Sequence, residues 1–277
     1  MVRKIFQTNA ELKDWLSEHN SSVILIPTMG GLHSGHQYLI ETAKERATTK
    51  NQIILVSIFV NPLQFGKDED FKKYPRNINK DIAILKKLNV DYLFRPSVKD
   101  VYRFKSKKFN LKKSDKILCA KSRNGHFEGV LDVMNRLMSI IKSKDLYMGE
   151  KDYQQLYLIK KFLSKKFRVR INSCPTIRIK NNIALSTRNK LLTKKHLKIA
   201  SEIALILRRL KRKSKFQPLK TALDLPNYKI LMETKYNIKI DYLEFRDEKN
   251  LGLNNFKNKF RLFIAYNINK VRLIDNF

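Results

Sequence analysis

The feature that most constrains the fold is an apolar run, Ile53–Val60, in which Ser57 is the one polar residue. A strand with one solvent-facing side alternates apolar and polar residues, so a run without alternation predicts a strand buried on both faces. Such strands occur in parallel sheets covered by helices on both sides. The run is far too short to cross a bilayer, which takes about 20 apolar residues. We therefore expect a sheet with helices packed on both faces.

Strand-like and helical segments alternate along the first two thirds of the chain. The strand candidates are short and apolar, and the helix candidates repeat apolar residues every three or four positions. The alternation predicts an α/β fold, a Rossmann-like, doubly wound parallel sheet over residues 1–187. Strands are predicted at Val23–Ile26, Ile53–Val60, Asp91–Phe94, Asp145–Met148 and Val169–Ser173, and helices after Thr8, near His36, and over Ile78–Leu88, Val130–Ile141 and residues 152–164.

The pattern changes near Asn189, and residues 188–277 are predicted to form a smaller C-terminal α+β domain. A basic amphipathic helix is predicted over residues 193–213, with shorter helical segments over Leu219–Tyr236. Short polar connections then join the strand candidates Ile238–Phe245, Phe260–Tyr266 and Val271–Ile274. We expect the active site to lie between the two domains.

The charge balance is unusual, because 58 Lys and Arg against 25 Asp and Glu give a formal net charge of +33. Clustered cations bind nucleic acid by releasing its counterions, so a polyanion partner is one interpretation. The excess, however, is spread along the chain and not gathered in one arm. We therefore favour drift in composition, which gives a basic field compatible with anionic substrates. We expect neither a nucleic acid nor a membrane as partner.

The cysteines and the amino terminus indicate a cytoplasmic protein. Cys119 and Cys174 are far apart in the sequence and show no paired spacing, so neither a disulfide framework nor a metal site is predicted. The first residues contain no apolar core of a leader peptide. Thr8 and Glu11 instead have the spacing of a capping box at the start of a helix.

The first site-like segment is Pro27–His36, PTMGGLHSGH, which lies between a predicted strand and a predicted helix. In open α/β sheets this edge binds ligands, and a helix amino terminus binds anions. Glycines there allow the backbone to approach a phosphate closely. His33 and His36, three residues apart, can donate hydrogen bonds to charge developing on one phosphorus. No third metal ligand is nearby, so we predict no metal bound by these histidines.

Three later segments also follow predicted strands or turns. Asn61 and Gln64 come just after the buried strand and are placed to bind a small polar substrate, although an Asn before Pro also commonly caps a turn. Lys151 follows Gly149 at the start of a helix, where the helix dipole disfavours a cation, so a phosphate ligand is indicated. The run Ser186-Thr187-Arg188 offers two hydroxyls and a guanidinium for a polyphosphate.

Together these motifs resemble the pantothenate synthetase family of the nucleotidylyltransferase-like superfamily, which is marked by the HxGH turn. The resemblance covers nearly the whole chain, and its blocks follow in the family's order. They read PTMGGLHSGH from Pro27, SIFVNPLQF from Ser57, YPR from Tyr74, GHF from Gly125, GEKDYQQL from Gly149, ALSTRN from Ala184 and RLIDN from Arg272.

The resemblance implies an AMP-forming pantoate–β-alanine ligase that uses ATP with Mg²⁺ and forms a homodimer through its larger domain. His36 would donate a proton with His33 beside it on the α-phosphate, and Lys151 and Arg188 would bind phosphates. Gln64 and Gln155 would hold pantoate, Gln64 would also contact β-alanine, and Asn61 is added from its position. The implied ATP site comprises Met29, Gly30, Gly31, Leu32, His33, Ser34, Gly35, His36, Gly149, Glu150, Lys151, Asp152, Ile177, Leu185, Ser186, Thr187 and Arg188.

The chain also departs from the family's pattern. Glu128 stands where the family has a basic residue, Asn181 and Asn182 replace an Asp-Gly pair, and the Lys-rich stretch 102–122 bears little similarity. Two other functions stay open at this point. One is a different HxGH adenylyltransferase. It would need a second phosphate site in place of the amides Asn61, Gln64 and Gln155. The other is a basic nucleic-acid-binding protein on the same fold.

Overall fold

The computed structural model describes residues 2–19, 22–47, 52–66, 71, 74–106, 108–179, 182–253 and 256–277. Asn181, noted above, lies outside these residues. The chain divides into two compact units, Met1–Glu150 with Gln155–Pro175 and Lys151–Gln154 with Thr176–Phe277. The main division therefore falls after Pro175, upstream of the boundary predicted at Thr187, and the four residues 151–154 belong to the second unit.

The first unit contains a six-stranded parallel sheet, which confirms the predicted fold class. Its strands lie in the order β1-β4-β3-β2-β5-β6. The prediction missed β1, which has only three residues and pairs with β4 alone. The strands are β1 (Lys4–Phe6), β2 (Ser22–Thr28), β3 (Gln52–Ile58), β4 (Tyr92–Phe94), β5 (Asp145–Gly149) and β6 (Arg170–Cys174).

Helices connect these strands, and the predicted capping box is confirmed. Thr8 accepts a hydrogen bond from the backbone of Glu11, whose side chain accepts from the backbone of Thr8. The short α4, just before the Lys-rich stretch, and the short α5, at its end, were not predicted. The helices are α1 (Asn9–Glu18), α2 (Ser34–Glu45), α3 (Ile78–Lys87), α4 (Val98–Val101), α5 (Cys119–Ser122), α6 (His126–Ile141) and α7 (Tyr153–Phe167).

The centre of the sheet is buried on both faces, as the apolar run predicts. Ile24 and Ile54, partners in the β2–β3 register, pack with Ile40 of α2 and Leu85 of α3 in one cluster. Leu25, which alternates with Ile24 along the strand and so faces the other side, is also fully buried.

The strand order reverses between β2 and β5. From β2 the chain adds β3 and β4 on one side of the sheet, and then returns to add β5 and β6 on the other side. Ligands of open α/β sheets bind at the carboxyl ends of the strands at such a reversal. The residues that follow Thr28 and the end of β5 at Gly149 therefore lie where a ligand is expected.

The second unit packs helices against an antiparallel sheet of three strands in the order β7-β8-β9. Its core joins Leu207 of the long amphipathic helix to Met232, Ile240 and Ile264. Among the described residues, none of the helices is long and apolar enough to span a membrane. The elements are α8 (Lys194–Lys213), α9 (Pro218–Leu223), α10 (Leu225–Tyr236), β7 (Lys239–Asp247), β8 (Phe260–Ile268) and β9 (Val271–Asn276).

A buried carboxylate joins β5 to β6 and generates a prediction about pH. Arg170 donates from Nε and Nη2 to the two oxygens of Asp145 at 2.8 and 2.9 Å, and Asn172 donates at 3.1 Å. The hydrogen bond from Arg170 is the main reason that the pKa of Asp145 is lowered. A lowered pKa means that the carboxylate stabilises the fold above its unfolded pKa of about 4 and loses this contribution as the pH falls.

We predict that Asp145→Asn lowers the urea midpoint of unfolding at pH 7. The difference in midpoint between the variant and the wild type should shrink as the pH falls from 5 to 3. The difference should shrink because the protonated aspartate resembles the amide. Asp14→Asn on the exposed face of α1 is the matched control and should match the wild type throughout. A difference for Asp145→Asn that stays constant with pH would contradict the prediction.

Candidate active site

The turn from β2 to α2 is built on two consecutive glycines in the left-handed region. Gly30 and Gly31 have φ angles of +77° and +65°. Thr28, at the end of β2, donates from its hydroxyl to the carbonyl of Ser57 at 2.9 Å and accepts from the backbone of Gly30 at 3.2 Å. Because side chains with a Cβ are strained at these φ angles, the sequence needs glycine here to turn sharply out of the strand.

A buried carboxylate from α3 holds this turn in place. Asp81 accepts from the backbone N–H groups of Gly31 and Leu32, one on each oxygen, both at 2.8 Å. A Cβ on Gly30 would come within 3.0 Å of the same carboxylate, which is a second reason for glycine there. The sequence prediction missed Asp81. The sequence feature that could have revealed it is its position, because Asp81 is a carboxylate on the same apolar face of α3 as Ile78 and Ile82.

The two histidines of the turn are fixed by hydrogen bonds to the backbone. His33 caps α2 by accepting at Nδ1 from the N–H of Gly35 at 3.1 Å, and its own N–H donates to Nδ1 of His36 at 3.4 Å. The rings lie together, with centroids 4.1 Å apart. An Nδ1 that accepts carries no proton, so each neutral ring has its N–H at Nε2. Both rings are thus set as donors at the amino terminus of a helix.

Asn61 caps the short 3-10 turn Pro62–Gln64. Its Oδ1 accepts from the N–H of Leu63 at 3.2 Å and from the hydroxyl of Tyr102 at 2.7 Å. Its Nδ2 donates to the carbonyl of Gly129 at 3.1 Å and to Oε1 of Gln64 at 3.3 Å. These four bonds use the whole capacity of the amide. The turn-capping interpretation is confirmed, and direct contact of Asn61 with substrate stays a prediction.

Gln64 is buried beside the histidine turn and is held at both its side chain and its backbone. Its Nε2 donates to Sδ of Met29 at 2.8 Å, while Oε1 accepts from Asn61. Its carbonyl accepts from Nδ1 of His126 at 2.7 Å and from Arg123 at 3.3 Å. The structure therefore brings together the predicted residues Met29 and Gln64, and His126 holds the backbone of Gln64.

Helix α6 passes unusually close to the turn that carries Gln64. A Cβ on Gly129 would lie 2.4 Å from the carbonyl oxygen of Leu63, a distance that no side chain tolerates. Glycine is therefore required for this approach. Glu128, the acidic departure from the family's pattern, lies in the first turn of α6, where a negative charge is favourable.

The Lys-rich stretch contributes to the same region through Tyr102. Arg136 of α6 lies over the Tyr102 ring, 4.6 Å from its centroid, and forms an ion pair with Asp132 at 3.0 Å. Burial, and secondarily the charge of Asp132, raises the pKa of the Tyr102 phenol, so this group stays a neutral donor to Asn61. This support could not be predicted, because the stretch itself shows no periodic pattern.

The other predicted residues of the first unit lie at the end of β5 and in α7. A Cβ on Gly149 would meet no atom of the described residues within 4 Å, so the space above this strand end is open. Glu150 follows in a 3-10 turn. The side chain of Gln155 is half-buried and makes no hydrogen bond to the part of the chain that the structure describes.

The remaining predicted residues belong to the second unit. The Nζ atom of Lys151 lies 3.5 Å from Oδ1 of Asp152. The backbone carbonyl of Lys151 accepts a hydrogen bond from Nδ2 of Asn276 at 3.0 Å. Leu185 donates from its N–H to the carbonyl of Ile177 at 3.0 Å.

Ser186 caps the 3-10 turn Thr187–Leu191 by accepting from the N–H of Arg188 at 3.2 Å. Thr187 is buried. The part of these residues in binding phosphate stays a prediction.

The chain is similar to known proteins of one family along nearly its whole length. A family model described as pantoate-beta-alanine ligase matches residues 4–277. A pantothenate synthetase of Francisella tularensis subsp. novicida is 41% identical over 259 residues, 91% of this chain and 87% of that protein. A bifunctional pantoate ligase/cytidylate kinase of Prochlorococcus marinus is 45% identical over 282 residues, 100% of this chain and 54% of that protein. The chain therefore spans about half the length of this relative.

Solved structures show the same similarity. A pantothenate synthetase of Thermus thermophilus is 31% identical and superimposes with a TM-score of 0.89, covering 99% of this chain and 98% of that one. The pantoate-beta-alanine ligase of Francisella tularensis, complexed with beta-gamma ATP and beta-alanine, is 38% identical with a TM-score of 0.83. That match covers 100% of this chain and 97% of the other.

The two hydrogen bonds that Asp81 accepts from Gly31 and Leu32, which we call the Asp81 clamp, lead to a prediction about stability. In Asp81→Asn one carboxylate oxygen becomes an NH₂ group, which faces a backbone N–H and cannot accept from it. We expect a loss of about 1–3 kcal/mol in the free energy of unfolding, as for a buried donor left unsatisfied. Urea titration measures it, and Glu41→Gln on the exposed face of α2 is the matched control. Equal stabilities of the two variants would contradict the clamp.

Proposed function

The chain belongs to the pantoate-beta-alanine ligase family, and from this premise we propose that it is an ATP-dependent, AMP-forming ligase that joins pantoate to β-alanine. The observation that carries the proposal is the pair of histidines held as Nε2 donors at the start of α2, beside the buried amide of Gln64. The ATP analogue and β-alanine in the complex of the Francisella tularensis relative support the same substrates.

The proposed reaction needs two steps because a carboxylate is a poor acylating agent. In the first step a pantoate carboxylate oxygen attacks the α-phosphorus of ATP, and the bond to pyrophosphate breaks. In the second step the β-alanine amine attacks the acyl carbon of the adenylate, loses a proton and displaces AMP. Neither step requires a covalent bond to the protein, so positioning and charge stabilisation are the tasks of the site.

The turn between β2 and α2 is suited to the first step. The free N–H groups and the dipole at a helix amino terminus favour an anion. His36 and His33 present Nε2–H donors in the same place, and they would stabilise the negative charge that develops on the α-phosphate. Asp81 keeps the turn rigid, so the donors need little reorganisation during the reaction.

The amides are suited to pantoate, which offers hydroxyls and a carboxylate. The oxygen of Gln64 already accepts from Asn61, and one of its two N–H bonds is directed at Met29. Gln64 therefore has a donor left for a substrate oxygen, with Asn61 fixing the amide orientation. Gln155 would supply the second amide for pantoate, and Gln64 would also contact β-alanine.

Lys151 and Arg188 would bind the phosphates of ATP, with Ser186 and Thr187 beside Arg188. Asp152 at 3.5 Å is the only carboxylate that the described residues place within salt-bridge distance of Lys151. A lysine whose salt-bridge contact is this long can exchange it for an anionic ligand.

Mg²⁺ would accompany the triphosphate. Within the described residues no three His, Cys, Asp or Glu side chains cluster in a way that could hold a metal ion. This sparse donor set fits Mg²⁺, which typically takes most of its ligands from phosphates and water and only one or two from carboxylates such as Asp152. When bound, the ion would neutralise the departing pyrophosphate.

We also propose that the protein is a cytoplasmic homodimer. The family resemblance supports the dimer. The two cysteines, Cys119 and Cys174, are buried and are not joined in a disulfide, which suits a reducing compartment.

The central test is the reaction itself. With ATP and pantoate alone, the protein should exchange labelled pyrophosphate into ATP, and adding β-alanine should release AMP. His36→Ala should lower the exchange rate by about two to four orders of magnitude, because a preorganised donor to the transition state is lost. His19→Ala at the end of α1 is the matched control. Exchange only in the presence of β-alanine would exclude a free adenylate, and full exchange by His36→Ala would exclude the role of His36.

A second prediction separates pantoate from ATP. Gln64→Ala and Gln155→Ala should each weaken the apparent affinity for pantoate by about tenfold to a hundredfold, as expected for an unpaired polar group worth about 1–3 kcal/mol. Lys151→Ala should weaken the apparent affinity for ATP instead, because it removes a cation. Steady-state KM values measure both, with Gln7→Ala as an exposed control. Equal effects of all three substitutions on ATP would mean that the pantoate pocket is misplaced and would favour another adenylyltransferase.

A further inference from the structure

Helices α9 and α10 form one helical path with two opposite apolar faces. Asp224, between them, has right-handed helical angles, and its N–H and carbonyl bond to Lys220 and Tyr228, four residues away on either side. Pro226 has no N–H, which removes one bond from the ladder but leaves the path helical. The segment from Pro218 to Tyr236 can therefore be treated as a single helix of about 100° per residue.

One apolar face packs on the core of the second unit. It consists of Thr221, Leu225, Tyr228 and Met232, which are spaced four, three and four residues apart. Thr221, Leu225 and Met232 are buried, and Tyr228 packs partly buried against the same cluster. This face accounts for how the helix is held to the unit.

The other face is apolar but exposed. Leu219, Leu223, Pro226 and Ile230 repeat the same spacing, shifted by two residues, which places them about 200° around the helix from the buried face. Leu219, Leu223 and Ile230 are 67%, 80% and 62% exposed. We call these four residues the exposed seam. Large apolar groups gathered on one exposed face mark an interaction surface more often than single exposed ones do.

The shape of the exposed seam favours a helical partner over a lipid surface. Its four residues fall within an arc of about 60°, with the four-three-four spacing of the a and d positions of a coiled coil. Leu231, which is 55% exposed, lies about 80° further around the helix and so outside this line. A helix that lies in a bilayer surface has a wider apolar face.

The charges beside the exposed seam favour an acidic partner. Lys220 and Lys229 lie on its two sides, at the e and g positions that pair with the opposite helix. The structure gives neither lysine an ion pair with a carboxylate of the described residues. A second copy of this chain, packed antiparallel on the same seam, would bring lysine against lysine, and like charges there are destabilising.

We infer that the exposed seam of α9 and α10 is a docking site for an acidic amphipathic helix of another protein. Apolar residues of that helix would pack on Leu219, Leu223 and Ile230, and glutamates beside them would pair with Lys220 and Lys229. This site is separate from the residues proposed for ATP and pantoate, so it stands or falls independently of the proposed function.

The test uses synthetic helical peptides of about three heptads, a length at which isolated helices persist in water. The acidic probe has leucines at the a and d positions and glutamates at e and g. One control peptide keeps the glutamates but has glutamines at a and d, and the other keeps the leucines but has lysines at e and g. Fluorescence anisotropy with the full chain, at an ionic strength of about 0.15 M where the Debye length is about 8 Å, gives the affinities.

The acidic probe should bind at least about tenfold more tightly than either control, and Leu223→Glu should weaken it about tenfold or more. Lys220→Glu with Lys229→Glu should transfer the preference to the basic peptide. Thermal midpoints verify the fold, and Leu205→Glu on α8 is an exposed apolar control that should leave binding unchanged. Equal binding of the two acidic peptides would reduce the effect to net charge and overturn the inference. Two other results, both measured by sedimentation, would also overturn it if the peptide does not bind. One is binding to anionic vesicles that depends on Leu223, and the other is self-association that depends on Leu223.

Discussion

The carboxylate of Asp81 determines the geometry on which the rest of the site depends. It is buried, and it accepts from two successive backbone N–H groups, those of Gly31 and Leu32, which no element of regular structure satisfies. A carboxylate placed this way compensates its own desolvation and fixes a left-handed turn that would otherwise be free to move. The bonds of His33 and His36 follow from this turn, because His33 caps α2 only where the chain leaves the turn in the right direction.

The second half of the site shows the same use of buried polar groups. Gln64 is held by Asn61, Met29, His126 and Arg123, which come from three parts of the chain, and Asn61 is in turn held by Tyr102. A site group supported on its side chain and its backbone keeps its orientation without the substrate, so less ordering is needed when the substrate binds. The close contact at Gly129 adds to this by leaving the turn no room to shift toward α6.

The sequence was sufficient for the main elements because their signals are local. Strands β2 and β3 are apolar on both faces, and α6 and α8 have long periodic stripes, so each could be predicted from its own residues. Strand β1 is too short to show a pattern. Asp81 binds the turn at Gly31 and Leu32, at least 49 residues away along the chain, and Tyr102 binds Asn61, 41 residues away. No local pattern encodes such contacts. Residues 151–154 belong to the second unit, where Asn276 donates to the carbonyl of Lys151 across 125 residues of the chain, another contact that no local pattern encodes.

The distribution of charge explains how a chain of +33 keeps this fold. The charged residues that the described part of the chain buries are all aspartates: Asp81, Asp115, Asp145, Asp247 and Asp275. Each of them accepts hydrogen bonds from the backbone or from a cationic side chain. Replacing one by lysine would leave donors unsatisfied and bury a cation, which is far more costly than an added surface lysine. The basic excess therefore accumulates where solvent screens it, whereas the few carboxylates persist where the fold needs an acceptor. This pattern fits drift in composition and requires no polyanion ligand.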